Sequence, residues 1–152
     1  MRVRIETVLD CSAERAFAEA SKPSLLLHVA APIIRFRPLQ PATFPARWTE
    51  GRQLVALHLF GLLPIGTQWV GIEYPAARSG EYRIRDNGAG QLARRWDHLV
   101  LIRARPDGRC AYRDEVEVEA GWLTPLVALF ARLFYAHRQR RWRRLVRRRF
   151  RY

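Results

Sequence analysis

The sequence predicts a single α+β domain over residues 1–152, in which a curved, seven-stranded antiparallel sheet wraps a long C-terminal helix. Two observations carry this prediction. Apolar residues recur with a period of two in seven segments before residue 120, which is the pattern of half-buried strands. After Gly121 the period changes to that of an amphipathic helix. With 152 residues and 49% hydrophobic residues, the chain can bury a core of its own.

The chain opens with a strand and two short helices. Residues 2–9 alternate, and Val3, Ile5, Thr7 and Leu9 share one face. Ser12 is a favourable N-cap for a helix that begins at residue 13. Pro23 suits the first turn of a second short helix, which we expect to extend through residue 28.

Six more segments have strand periodicity and are separated by turn sequences. Residues 61–66 predict a hairpin between the second and third of them, and Asp86-Asn87-Gly88 predicts a turn that ends the fourth. Pro106-Asp107-Gly108 predicts the turn between the last two. The six segments are residues 33–39, 52–60, 67–74, 81–85, 94–103 and 110–119.

The C-terminal segment predicts one long helix. Pro125 stands where a first turn tolerates proline, and the helix can run for about 25 residues, or roughly 35–40 Å. Its apolar stripe predicts that residues 126–133 cover the sheet and that the last turns are peripheral. The residues at three- and four-residue spacing are Leu126, Phe130, Leu133, Phe134, His137, Arg141 and Leu145.

A curved sheet covered by one helix tends to leave space between the two layers. The apolar face of the sheet must be covered, and the helix has the matching stripe and length. A strongly curved sheet does not close flat on a single cylinder, so we expect a cavity on its concave side, where small-molecule sites usually lie.

Positive charge is concentrated at the C-terminus. The net charge is +13, and residues 136–152 contribute nine arginines and no acidic residue. Three interpretations remain open for this Arg-rich end: a solvated helix face, contact of Arg138–Arg151 with an anionic membrane surface, or contact with nucleic acid. Nucleic acid is the least favoured, because the rest of the chain is nearly balanced in charge and has no reading motif.

Known catalytic and metal-binding motifs are absent. The chain has no Gly-x-Ser-x-Gly, phosphate-binding loop or His-Glu-x-x-His sequence, and its two cysteines and four histidines lack metal-ligand spacing. No cofactor or metal is therefore expected. No signal-peptide core and no run of about 18 apolar residues is present, which predicts a cytoplasmic protein.

Three segments resemble a known superfamily. They are the opening Arg-Ile-Glu-Thr-Val-Leu-Asp-Cys-Ser-Ala-Glu-Arg-Ala-Phe over residues 4–17, Trp96-Asp97-His98, and Tyr112-Arg113-Asp114-Glu115-Val116. With the order of elements, they resemble the START-like or SRPBCC superfamily, which includes birch-pollen-allergen-like and polyketide-cyclase-like proteins. The resemblance implies the helix-grip fold over nearly the whole chain and a cavity for an apolar or amphipathic molecule. It does not fix the activity, because the family contains carriers, sensors and enzymes.

Polar residues on inward strand faces are the candidates for a site. If Val116 and Val118 point inward, so do Tyr112 and Asp114. On the preceding strand the face with Trp96, His98, Val100 and Ile102 is preferred to the face with Asp97, Leu99, Leu101 and Arg103. The preferred choice sends Asp97 and Arg103 to solvent. A turn centred on Asp107 then places Val100 opposite Asp114 and makes His98 the diagonal neighbour of Asp114.

The full candidate set adds residues from the third strand, its hairpin partner and the long helix. His58 can join the pair, with Trp69 or Gln68 beside it, depending on the hairpin register. The predicted ligand-binding residues are His58, Trp69, Trp96, His98, Tyr112, Asp114, Phe130 and Phe134. Asp114 either orients His98 toward a ligand or only satisfies it as a structural partner.

Three functional hypotheses follow. The leading one is a non-enzymatic carrier or sensor of a small hydrophobic or amphipathic ligand. The second is a cyclase- or hydratase-like enzyme that uses His98 and Asp114. The third is an accessory protein that contacts a membrane or nucleic acid through the Arg-rich end.

Overall fold

A computed structural model describes residues 1–152, and its centre is one antiparallel sheet of seven strands. The strand order is β1-β7-β6-β5-β4-β3-β2, so β1 crosses to pair with β7 and the other strands follow in sequence. This sheet confirms the predicted fold class. The strands are β1 Arg2–Leu9, β2 Ile34–Gln40, β3 Gly51–Leu59, β4 Leu63–Glu73, β5 Glu81–Gly90, β6 Arg95–Ala104 and β7 Cys110–Glu119.

Two short helices follow β1, and a long helix ends the chain. Helix α1 is Ala13–Ala20, and the Ser12 side chain caps it by accepting a hydrogen bond from the Arg15 backbone N–H. Helix α2 is Pro23–Ala30, with Pro23 in its first turn. Helix α3 is Thr124–Arg147, and its 24 residues span about 36 Å.

The β6–β7 pairing places the predicted polar residues as expected from the turn. Val100 lies opposite Asp114, and His98 lies opposite Val116, so His98 is diagonal to Asp114. One detail of the prediction is wrong. Asp97 is buried on the opposite face of the sheet instead of pointing into solvent, because Arg85 and Arg95 pair with its carboxylate there.

The predicted turn at Asp86-Asn87-Gly88 is wrong. These residues continue β5, which extends to Gly90 and pairs with β6 as far as Gly88 opposite Trp96. Pairing along the neighbouring strand overrides the local turn preference of the Asp-Asn-Gly sequence. The correction matters for the site because it places Asp86 on the concave side of the sheet, where it lines the space under α3.

Helix α3 contributes to the core mainly through its C-terminal half. Trp142 and Leu145 are 2% and 1% exposed, and Val146 is also buried. Leu126 and Leu133, which the sequence assigned to the covering stripe, are 64% and 63% exposed. The prediction that the last turns are peripheral is therefore wrong, because these turns pack against the sheet and α2.

Contacts beyond the apolar side chains also fix the C-terminal half of α3. Arg141 Nε donates to the His28 carbonyl over 2.8 Å, and the His137 ring bonds the Ala31 carbonyl over 2.8 Å. Phe150 packs against the core and lies 6.1 Å from Trp142, centroid to centroid. The apolar residues that a peripheral membrane-binding helix would need are consequently occupied within the protein. No helix in the structure is long and apolar enough to cross a membrane.

Candidate functional site

A cavity of about 410 Å³ lies between the sheet and the N-terminal half of α3. Its walls are mostly hydrophobic, with Phe130 and Phe134 from α3 on one side and Trp96 and Val70 from the sheet on the other. Gly90 of β5 also lines the cavity, and a Cβ there would meet the Thr67 carbonyl oxygen at 2.6 Å, so glycine lets β5 pass close to β4 at this point. The volume is above the low end of about 300 Å³ for small-molecule sites.

A second, smaller compartment of about 60 Å³ adjoins the large cavity. Leu26, Val70 and Asp86 line both spaces, so Asp86 stands where the apolar cavity meets the smaller compartment. The smaller compartment is lined mostly by hydrophobic residues, but His98, Tyr112 and Arg138 also line it and, with Asp86, supply the polar groups of the site. We call it the polar compartment below.

His98 is held by a buried carboxylate. Its Nε2 lies 2.7 Å from Asp114 Oδ1, and the Tyr112 hydroxyl donates to the same oxygen over 3.2 Å. Gln139 Nε2 donates to Asp114 Oδ2 over 2.8 Å and to the Ile5 carbonyl over 2.9 Å. Asp114 therefore accepts three hydrogen bonds, which is the usual condition for a buried carboxylate to remain ionised.

Opposing effects set the protonation states of this pair. Burial lowers the pKa of His98 more than the neighbouring Asp114 raises it, so the imidazole is neutral near neutral pH. Burial opposes the ionisation of Asp114, but the hydrogen bond from His98, the Arg138 charge and the Gln139 amide outweigh it, and the pKa of Asp114 falls below its usual value. The pair is thus a neutral imidazole that donates from Nε2 to a carboxylate.

Tyr135 connects the polar compartment to the aromatic wall of the large cavity. Its ring centroid lies 4.6 Å from that of His98, and its hydroxyl accepts a hydrogen bond from Trp96 Nε1 over 3.2 Å. Burial raises the pKa of Tyr135, so its hydroxyl keeps its proton. Tyr135 therefore contacts both His98, which lines the polar compartment, and Trp96, which lines the large cavity.

Two further charged residues face the polar compartment. The Asp86 carboxyl accepts a hydrogen bond from the Gly71 backbone N–H over 2.8 Å, and burial raises its pKa to about 7. The Arg138 guanidinium lies over the Tyr135 ring, 4.7 Å from its centroid, and its Nε is buried without a hydrogen-bond partner. The site therefore combines an ionised carboxylate, a neutral histidine, a carboxyl that titrates near neutrality and a cation.

The structure brings most of the predicted site residues together. Trp96, Phe130 and Phe134 line the large cavity. His98 and Tyr112 line the polar compartment, and Asp114 lies directly behind them.

His58 and Trp69 do not line either space, and their predicted placement is wrong. On β3 the neighbours Leu57 and Leu59 face the cavity, so His58 between them faces away. On β4 Gln68 and Val70 face the cavity, and Trp69 is 37% exposed on the other face. The register of this hairpin shifts between Leu57 and His58, and sequence alternation alone does not show such a shift.

Sequence reasoning missed Asp86, Arg138, Tyr135 and Gln139. Asp86 was part of the predicted turn, and Arg138 was counted with the Arg-rich end. For α3 the helical spacing itself held a signal: residues 131, 134, 135, 138, 139, 142 and 145 recur at three- and four-residue intervals. Gln139 is buried in that row with Phe134, Tyr135 and Trp142, and the half-buried Arg138 lies in the same row. No group of three or more His, Cys, Asp or Glu side chains is placed to hold a metal ion.

A family model described as a domain of unknown function, DUF8410, matches residues 7–148. The chain belongs to this family. The match spans every element of the domain except the first residues of β1, so both compartments of the site lie within it. A comparison with curated proteins finds no match.

Several solved structures share the fold of this chain. A START superfamily protein from Mycobacterium smegmatis is 15% identical with a TM-score of 0.66, and 97% of each chain is covered. Protein CV1439 from Chromobacterium violaceum is 15% identical with a TM-score of 0.68, covering 95% of this chain and 96% of the other. An aromatase/cyclase from a Streptomyces species is 14% identical with a TM-score of 0.54, covering 96% of this chain and 90% of the other. These likenesses confirm the START-like, helix-grip fold of this DUF8410 member.

Proposed function

We propose that this protein binds a small hydrophobic or amphipathic molecule in the large cavity, as a carrier or sensor. The observation that carries the proposal is the cavity itself. It is lined mostly by hydrophobic side chains, has a volume of about 410 Å³, and lies beside the hydrophobic core. Empty apolar space of this size costs stability, because the lining atoms lack packing partners. A ligand would supply those partners.

The rim of the cavity suits the entry of an apolar molecule. Leu92 and Leu126 line the cavity and are 55% and 64% exposed. Leu123 joins them at the start of α3 and is also exposed. Apolar side chains that are both exposed and cavity-lining form a path from solvent that does not require a polar barrier to be crossed.

Each site residue has a proposed role that follows from its position. Trp96, Phe130 and Phe134 contact the apolar part of the ligand. His98 and Tyr112 face its polar end, and Asp114 holds both of them in place. The fold supports this proposal by analogy, because one solved relative is a START superfamily protein and another is an aromatase/cyclase. A cytoplasmic location is part of the same proposal.

A second candidate function is a cyclase- or hydratase-like enzyme. The observation in its favour is the neutral His98, oriented by Asp114 and facing the polar compartment. A neutral imidazole held in one orientation can remove or return a proton near neutral pH. If this function is correct, the His98→Asn variant should retain an unreacted molecule that differs from the one bound to the native protein by the mass of a water.

Native mass spectrometry of the protein from its own host tests the binding proposal. The Val127→Trp variant narrows the cavity, because Val127 lines it. Leu133→Trp is the matched control, since Leu133 lies on the same helix and is 63% exposed outside the cavity. We expect a co-purified small molecule on the native and control proteins and its loss from Val127→Trp. Equal retention by all three proteins would contradict binding in this cavity.

A further inference from the structure

Arg138 is a cation without a partner in the protein. Its Nε–H is buried and donates to no acceptor, and Arg138 takes part in none of the ion pairs that other arginines form. Its guanidinium carbon lies over the rings of Tyr135 and Phe134, 4.7 and 5.8 Å from their centroids. Arg138 is half-buried, and a buried N–H donor that finds no acceptor is destabilising unless something pairs with it.

The two nearby carboxyl groups do not fill this role. Asp114 already accepts bonds from His98, Tyr112 and Gln139, and it lies behind the wall of the polar compartment. Asp86 lines the compartment with Arg138, yet no ion pair within 4.0 Å joins them. Arg138 and Asp86 therefore both line an open space of about 60 Å³ without pairing with each other.

That space has the size and chemistry for a carboxylate. It is larger than the ≈30 Å³ that one water molecule occupies in the liquid, so it has room for a small planar group. Guanidinium binds carboxylate through two parallel N–H···O bonds, whereas a neutral carbonyl would leave the charge of Arg138 unbalanced. The adjoining cavity is apolar and suits a hydrocarbon chain.

We infer that the ligand is a long-chain carboxylic acid whose carboxylate pairs with Arg138 in the polar compartment while its chain lies in the large cavity. This inference rests on the proposed function and names the class of ligand. Asp86 supports the same placement. Its pKa of about 7 would rise further beside a carboxylate, so Asp86 would carry a proton and donate it in a hydrogen bond to the bound acid.

Calorimetric titration with matched probes tests the inference. Dodecanoic acid, its methyl ester and dodecanol share one chain and differ only in the head group. We expect the native protein to bind the acid roughly ten- to a hundredfold more tightly than the ester or alcohol, the effect of hydrogen bonds to a charged group. Because this comparison uses the native protein, it does not depend on any variant folding.

Two variants locate the effect. Arg138→Met keeps the length and packing of the side chain without its charge, and it should remove the preference for the acid. Arg132→Met is the control, because Arg132 is an exposed residue on the same helix and lines neither compartment.

The possible outcomes separate the inference from the proposed function. Equal binding of acid and ester by the native protein would overturn the inference and leave the binding function standing. An acid preference that persists in Arg138→Met would also overturn it, as would tighter binding of dodecyl phosphate than of dodecanoic acid. Failure of all three probes to bind would overturn the inference, and the Val127→Trp experiment would then decide the binding function independently.

Discussion

Replacing Asp86 by asparagine should stabilise the protein at neutral and alkaline pH. Asparagine keeps the shape of the side chain and the oxygen that accepts the Gly71 N–H bond at 2.8 Å. It removes only the ability to ionise beside the apolar cavity. The substitution therefore isolates the electrostatic cost of an ionised carboxyl at the junction of the two compartments.

The magnitude follows from the pKa of Asp86. Burial raises it from 3.8 to about 7, which corresponds to about 4 kcal/mol at 1.36 kcal/mol per pKa unit. Because the folded state holds the proton more tightly than the unfolded state, the stability is fully present below about pH 4 and is lost as the pH rises through about 7. Solvent screening at a half-buried side chain reduces the loss, and we expect about 2 kcal/mol or more.

Urea unfolding followed by circular dichroism, from about pH 4 to about pH 8, measures this effect. The Asp86→Asn variant should gain stability relative to the native protein as the pH rises. Asp97→Asn is the matched control on the next strand. Its hydrogen bonds from Arg85 and Arg95 lower the pKa of Asp97, so its loss should destabilise the protein above about pH 4. A constant difference between Asp86→Asn and the native protein across this range would refute the reasoning.

Two further predictions concern the histidine pair and the helix end. Asp114→Ala should lower the pKa of His98 further and weaken ligand binding, because the Asp114 carboxylate favours the imidazolium form of His98. NMR titration measures the His98 pKa in both proteins. The same pKa in the two proteins would show that His98 and Asp114 are not coupled. Trp142→Ala should lower the free energy of unfolding by about 3–5 kcal/mol, whereas Trp122→Ala, at a side chain that is 88% exposed, should change it by less than about 0.5 kcal/mol. Similar losses in thermal or urea unfolding of the two tryptophan variants would contradict the assignment of Trp142 to the core.

The strands were predictable because sheet periodicity survives in the sequence wherever one face is buried. On β7, Tyr112, Asp114, Val116 and Val118 are all buried and alternate with more exposed charged residues. The clear turn after β6 fixed the register, so the diagonal contact between His98 and Asp114 followed from counting residues. The inward face of a strand and the register of a short hairpin depend on residues that are close in the sequence, so the sequence pattern is enough to predict them.

The errors arose where tertiary contacts override local patterns. Asp86-Asn87-Gly88 is a strong turn sequence, yet pairing with β6 keeps it extended. Leu126 and Leu133 form part of a regular apolar stripe, but the helix turns its other side, with Ala128 and Ala131, toward the core. Alternation allowed two choices of inward face on β3 and β4, and the structure turns the face with Leu57 and Val70 inward. His58 and Trp69 therefore lie outside the site.

The Arg-rich end shows a different limit. Composition treats its arginines as equivalent, although Arg138 lines the polar compartment, Arg141 bonds the α2 backbone and others face solvent. The position of Arg138 among the inward-facing residues of α3 becomes evident only when the helix is placed against the sheet. The sequence alone therefore does not distinguish Arg138, on which the ligand inference depends, from the neighbouring arginines.

The proposed function requires that the cavity under α3 binds a small hydrophobic or amphipathic molecule. Native mass spectrometry of the protein purified from its own host, under conditions that preserve weak complexes, tests it most directly. We expect an additional mass of a small molecule on the native protein and on Leu133→Trp, and the unliganded mass alone on Val127→Trp. An unliganded mass for all three proteins would contradict the claim.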